Sequence, residues 1–258
     1  MRALVPNFLT TVNLLGGVVA MCLCVDGRPF EAGVAVMLGY ALGDAIDGWA
    51  ARKLGVSNQF GAEYDTISDH TSHVIAPAVI VYTVYKDVGL LPGRWGQVLA
   101  IALAASIIVS SSVRHARNIV APVNYKGVWA GLPRTVLGFI SIGYCNATLA
   151  PYAPGGWWLG VVLIPAMSIL TLSRLPFPSH HLPKGASAHA VLARVMTLVF
   201  FGVTFTVLIW KPKFMFDVLF FWMAGYSMSA WMTLSRTEAG KYREAVASAK
   251  QQSWTGAT

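Results

Sequence analysis

The chain has 258 residues, of which 55% are hydrophobic and 12% charged, against about 25% charged in an average soluble domain. That composition excludes an ordinary water-soluble domain and indicates a polytopic helical membrane protein. The net charge of +8 comes from scattered lysines and arginines, without the basic runs interleaved with aromatics of a nucleic-acid surface, so no nucleic-acid partner is expected.

Apolar windows between charges, prolines and glycines give eight expected spans, at 7–25, 31–54, 61–85, 95–116, 133–150, 156–174, 188–210 and 214–235. Each is near the 20 or so helical residues needed to cross a hydrocarbon core. The first follows a basic residue as a signal peptide would, but Asn7, Thr10, Thr11 and Asn13 interrupt it and no small-residue cleavage pattern follows, so it reads as a retained span. Helix-breaking turns separate neighbours at Asp26-Gly27-Arg28-Pro29, Leu91-Pro92-Gly93 and Ala153-Pro154-Gly155-Gly156. The three cysteines, Cys22, Cys24 and Cys145, lie in apolar stretches without metal-ligand spacing and read as packing thiols. His180, His181 and His189 have no acidic partner nearby and are not read as a metal site. An all-α membrane domain over 1–236 and a polar tail over 237–258, frayed or disordered, are expected. Of the 19 basic residues, 14 fall on the side of the N-terminus, which puts both termini in the cytoplasm.

The chemistry concentrates in the second and third spans. Of 11 acidic residues, five lie between positions 44 and 69, inside spans where acids are expensive. A carboxylate at mid-membrane costs about 2.5 to 3.5 kcal/mol on insertion scales, so such groups face a wet cavity or find a cation. Asp44 and Asp47 are three apart and Asp65 and Asp69 four apart, which puts each pair on one helix face. Two such pairs converging need a hard divalent cation; all-oxygen ligation favours magnesium, manganese or calcium, and magnesium or manganese suits phosphate chemistry. Gly48, Ala51 and Gly61 leave room for a bulky ligand, and Arg52 offers a guanidinium to phosphate. A purely structural set of ion pairs is the alternative, but Arg52 and Lys53 cannot satisfy four carboxylates. A divalent-cation transporter is the rival from another class; it leaves Gly48, Ala51, Arg52 and Gly61 without a role.

The run Asp44-Ala-Ile-Asp47-Gly48-Trp-Ala-Ala51-Arg52, eight further residues, then Gly61-Ala-Glu-Tyr-Asp65-Thr-Ile-Ser-Asp69 resembles the signature D-x-x-D-G-x-x-A-R-x8-G-x3-D-x3-D of the CDP-alcohol phosphotransferase family at every fixed position. The resemblance implies a six-helix core around a site open to the cytoplasm. It also implies two metal ions, magnesium or manganese, held by Asp44, Asp47, Asp65 and Asp69, with Asp69 also the general base. Gly48, Ala51, Arg52 and Gly61, together with Asn7 and Thr10 of the first span, would shape the nucleotide and diphosphate site.

Four further patches resemble the serine-using branch of that family: the opening Pro6-Asn7-Phe8-Leu9-Thr10-Thr11-Val12-Asn13-Leu14-Leu15-Gly16-Gly17, Ser72 with Ala76-Pro77-Ala78, Arg114-His115-Ala116-Arg117 followed by Gly131-Leu132-Pro133, and Ser173-Arg174 with Phe177-Pro178-Ser179. They imply transfer of the phosphatidyl group of CDP-diacylglycerol to L-serine, in a multi-pass enzyme of the cytoplasmic membrane. Choline or another small amino alcohol is the alternative acceptor, with inositol phosphate or glycerol phosphate further behind. The acceptor's carboxylate needs a cation, for which Arg114 and Arg117 come first among the candidates Arg114, Arg117, Lys126 and Arg134, with His73 one turn after Asp69. His70, Thr71, His73 and Val74 after the last aspartate, Asn118 directly after Arg117, and Arg134 after Gly-Leu-Pro depart from that branch. Gly16, Gly17 and Gly39 permit close helix contact and suggest a homodimer.

Overall fold

A computed structural model describes residues 4–179, 188–231, 233–234 and 236–255. His180 and His181, and the side chain of His189, lie outside the described residues. The chain is built from α1 (Leu4–Val25), α2 (Pro29–Gly39), α3 (Ala45–Leu54), α4 (Gln59–His70), α5 (Ala76–Asp87), α6 (Arg94–Val120), α7 (Arg134–Asn146), α8 (Trp157–Leu172), α9 (Ala188–Trp210), α10 (Met215–Met228) and α11 (Arg236–Thr255). Among the described residues, α1 and α6 are long and apolar enough to cross a membrane.

Two of the expected spans are composite. Tyr40–Asp44 joins α2 to α3, and Thr71–Ile75 joins α4 to α5, each as a single π-helical turn. These wide turns keep the helix axis running while adding a residue, and such insertions recur at functional sites. Here one ends on Asp44 and the other begins two residues after Asp69. Between the rods the turn is tight: Gly55, at φ +66°, ends α3, and the side chain of Asn58 caps α4 by accepting from the Gly61 backbone N–H at 2.8 Å.

Backbone-to-backbone approach sets how close α1 lies to these two rods. A Cβ on Gly16 would stand 2.8 Å from the Gly39 Cα, one on Gly17 2.8 Å from the Ser72 Cα, and one on Gly43 2.5 Å from the Leu9 carbonyl oxygen. The small residues expected to serve helix contacts are thus used inside the chain. Helix α7 is the hub: Val136 through Cys145 are all buried. At the far end, Asp217 of α10 accepts from the Thr148 backbone N–H (3.2 Å), the Thr148 hydroxyl (2.9 Å) and the Leu149 N–H (3.1 Å), sealing the turn after α7.

Among the described residues the fold is nearly all-α, with one short strand pair as the exception. Strands β1 (Val128–Ala130) and β2 (Pro176–Pro178) pair antiparallel, Trp129 opposite Phe177, because two loops held side by side must pair their backbone groups when covered. Through Thr255 the polar tail is helical, as α11. In α11, Tyr242 is buried and its hydroxyl donates to the Arg174 carbonyl at 2.7 Å, while Arg174 donates to the Val246 carbonyl at 3.2 Å.

Substituting Gly43→Ala should force α1 off the second rod. Overpacking of this kind costs about 1–3 kcal/mol, so a lower thermal unfolding midpoint in detergent is expected; an unchanged midpoint would show that the contact is loose.

Candidate active site

The aspartates meet where the C-terminal half of the second rod faces the start of the third. Ligand atoms of Asp44, Asp47 and Asp65 lie within 4.8 Å of one another, as do those of Asp44, Asp69 and His73. Asp44 belongs to both groups. Four carboxylates so close repel strongly in a low-dielectric interior, and the surrounding residues compensate only in part.

Helix α1 supplies the polar lining. The Thr10 hydroxyl lies 2.7 Å from Asp47 Oδ2, to which it donates, and Asn13 Nδ2 donates to Asp69 Oδ1 at 3.1 Å. Thr10 and Asn13 are three apart and buried, so a single face of α1 reaches both aspartate pairs. Ser68 locks the register by donating to the Thr10 carbonyl at 3.0 Å, and Thr11 shares a 2.8 Å hydrogen bond with the Tyr64 hydroxyl. On the opposite side, Arg134 NH2 at the start of α7 donates to Asp69 Oδ2 at 3.1 Å.

His73 sits within the second π turn. Its Nδ1 is 3.4 Å from Asp69 Oδ1, but neither ring nitrogen has a hydrogen-bond partner; the contact is one of proximity without hydrogen-bond geometry. Edge-to-face packing against Tyr40 (5.3 Å) and Phe139 (5.5 Å) fixes the ring. Its carbonyl rests on Gly138, where no side chain would fit.

The residues expected at the diphosphate site lie on α1, α3 and α4, the helices that carry or line the aspartates. Arg52 is exposed and folds back over Gly48, its NH1 3.3 Å from where a Cβ would stand. Ala51 is half-buried. Gly61 faces Asn7, whose Oδ1 would lie 3.6 Å from an added Cβ.

The two remaining arginines are placed differently. Arg117 spends both terminal nitrogens on the carbonyls of Leu172 and Ser173, closing the end of α8. Arg114 is buried at 8% exposure and donates through NH2 to the Gly131 carbonyl at 3.4 Å.

The donor set fits hard divalent cations: four carboxylates from two helices, one of them common to two clusters, with Asp65 Oδ1 buried and lacking a partner. A family model described as CDP-alcohol phosphatidyltransferase matches residues 3–172, two thirds of the chain and every residue of this site. The chain belongs to that family. The family is membrane-integral and divalent-metal dependent in general. A CDP-diacylglycerol–serine O-phosphatidyltransferase of Mycobacterium leprae is 22% identical over 76% of this chain and 65% of its own length. An archaetidylserine synthase of Methanothermobacter thermautotrophicus is 27% identical over 67% of this chain and 69% of its own. A CDP-diacylglycerol–serine O-phosphatidyltransferase of Methanocaldococcus jannaschii is 24% identical over 68% and 74%. The chain thus spans just under two thirds of the M. leprae protein.

Reading the sequence for chemistry passed over the role of Asn13, which counted only as a break in an apolar run. The signal was there: Thr10 and Asn13 share a face of an otherwise apolar helix. If these two orient the aspartates, Thr10→Val and Asn13→Ala should each weaken Mn2+ binding about 10- to 100-fold, as loss of an outer partner does at metal sites. Titration of the purified protein with Mn2+, followed by electron paramagnetic resonance, measures this directly; unchanged affinity would leave the two residues with packing roles alone.

Proposed function

We propose that this chain is a phosphatidyltransferase that moves the phosphatidyl group of CDP-diacylglycerol to L-serine, giving phosphatidylserine and CMP. The observation that carries the reading is the convergence of Asp44, Asp47, Asp65 and Asp69, with Gly48, Arg52 and Gly61 on the same helices. The serine acceptor is supported by the names of the relatives above. In this reading eight helices cross the cytoplasmic membrane around a six-helix catalytic core, with residues 237–258 as a cytoplasmic tail. Both termini and the aspartate site face the cytoplasm, in keeping with the charge bias of the loops.

Asp44, Asp47, Asp65 and Asp69 would hold two ions, Mg2+ or Mn2+. Bound there, these neutralise the diphosphate and make CMP a better leaving group. The protein's own residues do the rest. Arg52, with the small residues Gly48, Ala51 and Gly61 and with Asn7 and Thr10, admits and orients the cytidine diphosphate moiety. Asp69 accepts the proton of the acceptor hydroxyl. The acceptor oxygen bonds to the phosphatidyl phosphorus, the bond from that phosphorus to the CMP oxygen breaks, and CMP departs. Asn13 and Arg134 hold Asp69 by hydrogen bonds on different oxygens, which fixes its orientation toward the acceptor.

The decisive assay follows CMP release by purified protein supplied with CDP-diacylglycerol, Mn2+ or Mg2+ and a panel of alcohols. Release is expected with L-serine and should stop on chelation with EDTA. Release with choline but not serine would sink the acceptor assignment alone. Asp69→Asn should reduce turnover to background while the protein still binds CDP-diacylglycerol; persistent turnover would remove Asp69 as the base.

A further inference from the structure

Arg134 departs from the serine-using pattern, and the structure gives it two faces. Its NH2 is committed to Asp69 Oδ2 at 3.1 Å, whereas NH1 is buried and has no hydrogen-bond partner. The side chain is 14% exposed, so the free nitrogen lies inside the protein and not in bulk solvent. A second unpartnered donor is nearby. Arg114, more than nine-tenths buried, reaches the Gly131 carbonyl three residues before Arg134 through NH2, and its Nε is left without a partner. The charge of Arg134 also acts on Arg114, His70 and His115, so two guanidinium charges, from α6 and the start of α7, lie on this side of Asp69. Buried guanidinium nitrogens are costly to leave unsatisfied, and the N-terminus of α7 adds its own partial positive charge.

From this geometry we infer that Arg134 NH1, backed by Arg114 Nε, is the subsite for a carboxylate on the acceptor alcohol, and that it selects β-hydroxy acids over neutral or cationic alcohols. The inference rests on the transfer reading, in which Asp69 receives the acceptor's proton. A hydroxyl donating to Asp69 must come within about 2.6–3.2 Å of it. The guanidinium that binds the anion touches that same carboxylate, and charge-assisted pairs close to about 2.7–2.9 Å. Hydroxyl and anion are therefore received by neighbouring groups, which favours a small acceptor carrying both close together, as a 2-amino-3-hydroxy acid does. An alcohol carrying a quaternary ammonium in place of the anion would set it against a guanidinium. Arg117 takes no part, because both its terminal nitrogens are already bound to carbonyls.

The test uses the full chain in lipid or detergent with CDP-diacylglycerol and Mn2+, and compares CMP release with L-serine, L-serine amide and choline. Wild-type protein should favour serine over serine amide by about tenfold or more in kcat/KM, the worth of one charge-assisted hydrogen bond. Arg134→Gln should collapse that preference to within about threefold, chiefly by raising KM for serine, and Arg134→Lys should restore part of it. Equal use of serine and its amide by the wild-type protein overturns the inference without any variant. So does a variant that loses both substrates by the same factor. CMP release that ignores the carboxylate leaves phosphatidyl transfer standing and sinks only the subsite, whereas absence of release with every alcohol sinks both.

Discussion

Four carboxylates brought within a few ångströms of one another inside an apolar bundle are the constraint on which the rest of this architecture depends. Water cannot solvate them freely, and the described residues place one arginine in direct contact, on Asp69. Everything nearby serves either to hold the acids in place or to keep them supplied with hydrogen-bond donors. Thr10 and Asn13 do this from α1, and Arg134 from α7. The residual negative charge suits these acids to a hard divalent cation.

Helix packing delivers that arrangement. The glycine contacts of α1 with Gly39, Gly43 and Ser72 bring its backbone against both aspartate-bearing rods, close enough for short side chains such as threonine and asparagine to reach the carboxylates. Longer polar residues would need less intimate packing but would hold the acids less firmly, since each extra rotatable bond adds conformational entropy to be lost. The two π turns then set the rotation of each rod, so that Asp44 and Asp69 face each other across the seam.

Much of this was legible in the residues alone. The spacing of Asp44, Asp47, Asp65 and Asp69 marked both faces, and the windows between breakers fall on helical rods, because hydrophobic period and helix-breaking residues are local properties. What was not legible depends on distant contacts. The π turns leave no pattern beyond Gly39, Gly43 and an unremarkable run at Thr71–Ile75. By sequence, Arg114 and Arg117 stand ahead of Arg134; only packing tells that Arg134 lies on Asp69 while Arg114 reaches Gly131 and Arg117 closes α8. The β1–β2 ribbon joins segments some fifty residues apart, and the order in α11 comes from burial of Tyr242 against the Arg174 loop, which a polar composition conceals.

That ribbon has a consequence for how the protein is made. Chains are synthesised and inserted from the N-terminus, and the earlier parts organise first. The helices bearing the four aspartates are complete by Asp87, before Arg134 has been translated. The strand that pairs with Val128–Ala130 is later still, at Pro176–Pro178. The acids therefore enter the bilayer ahead of their cation, and the loop leading into Arg134 is pinned only after α8 is in place. Biogenesis must carry an incomplete, strongly anionic intermediate through the insertion of α6, before Arg134 at the start of α7 is available.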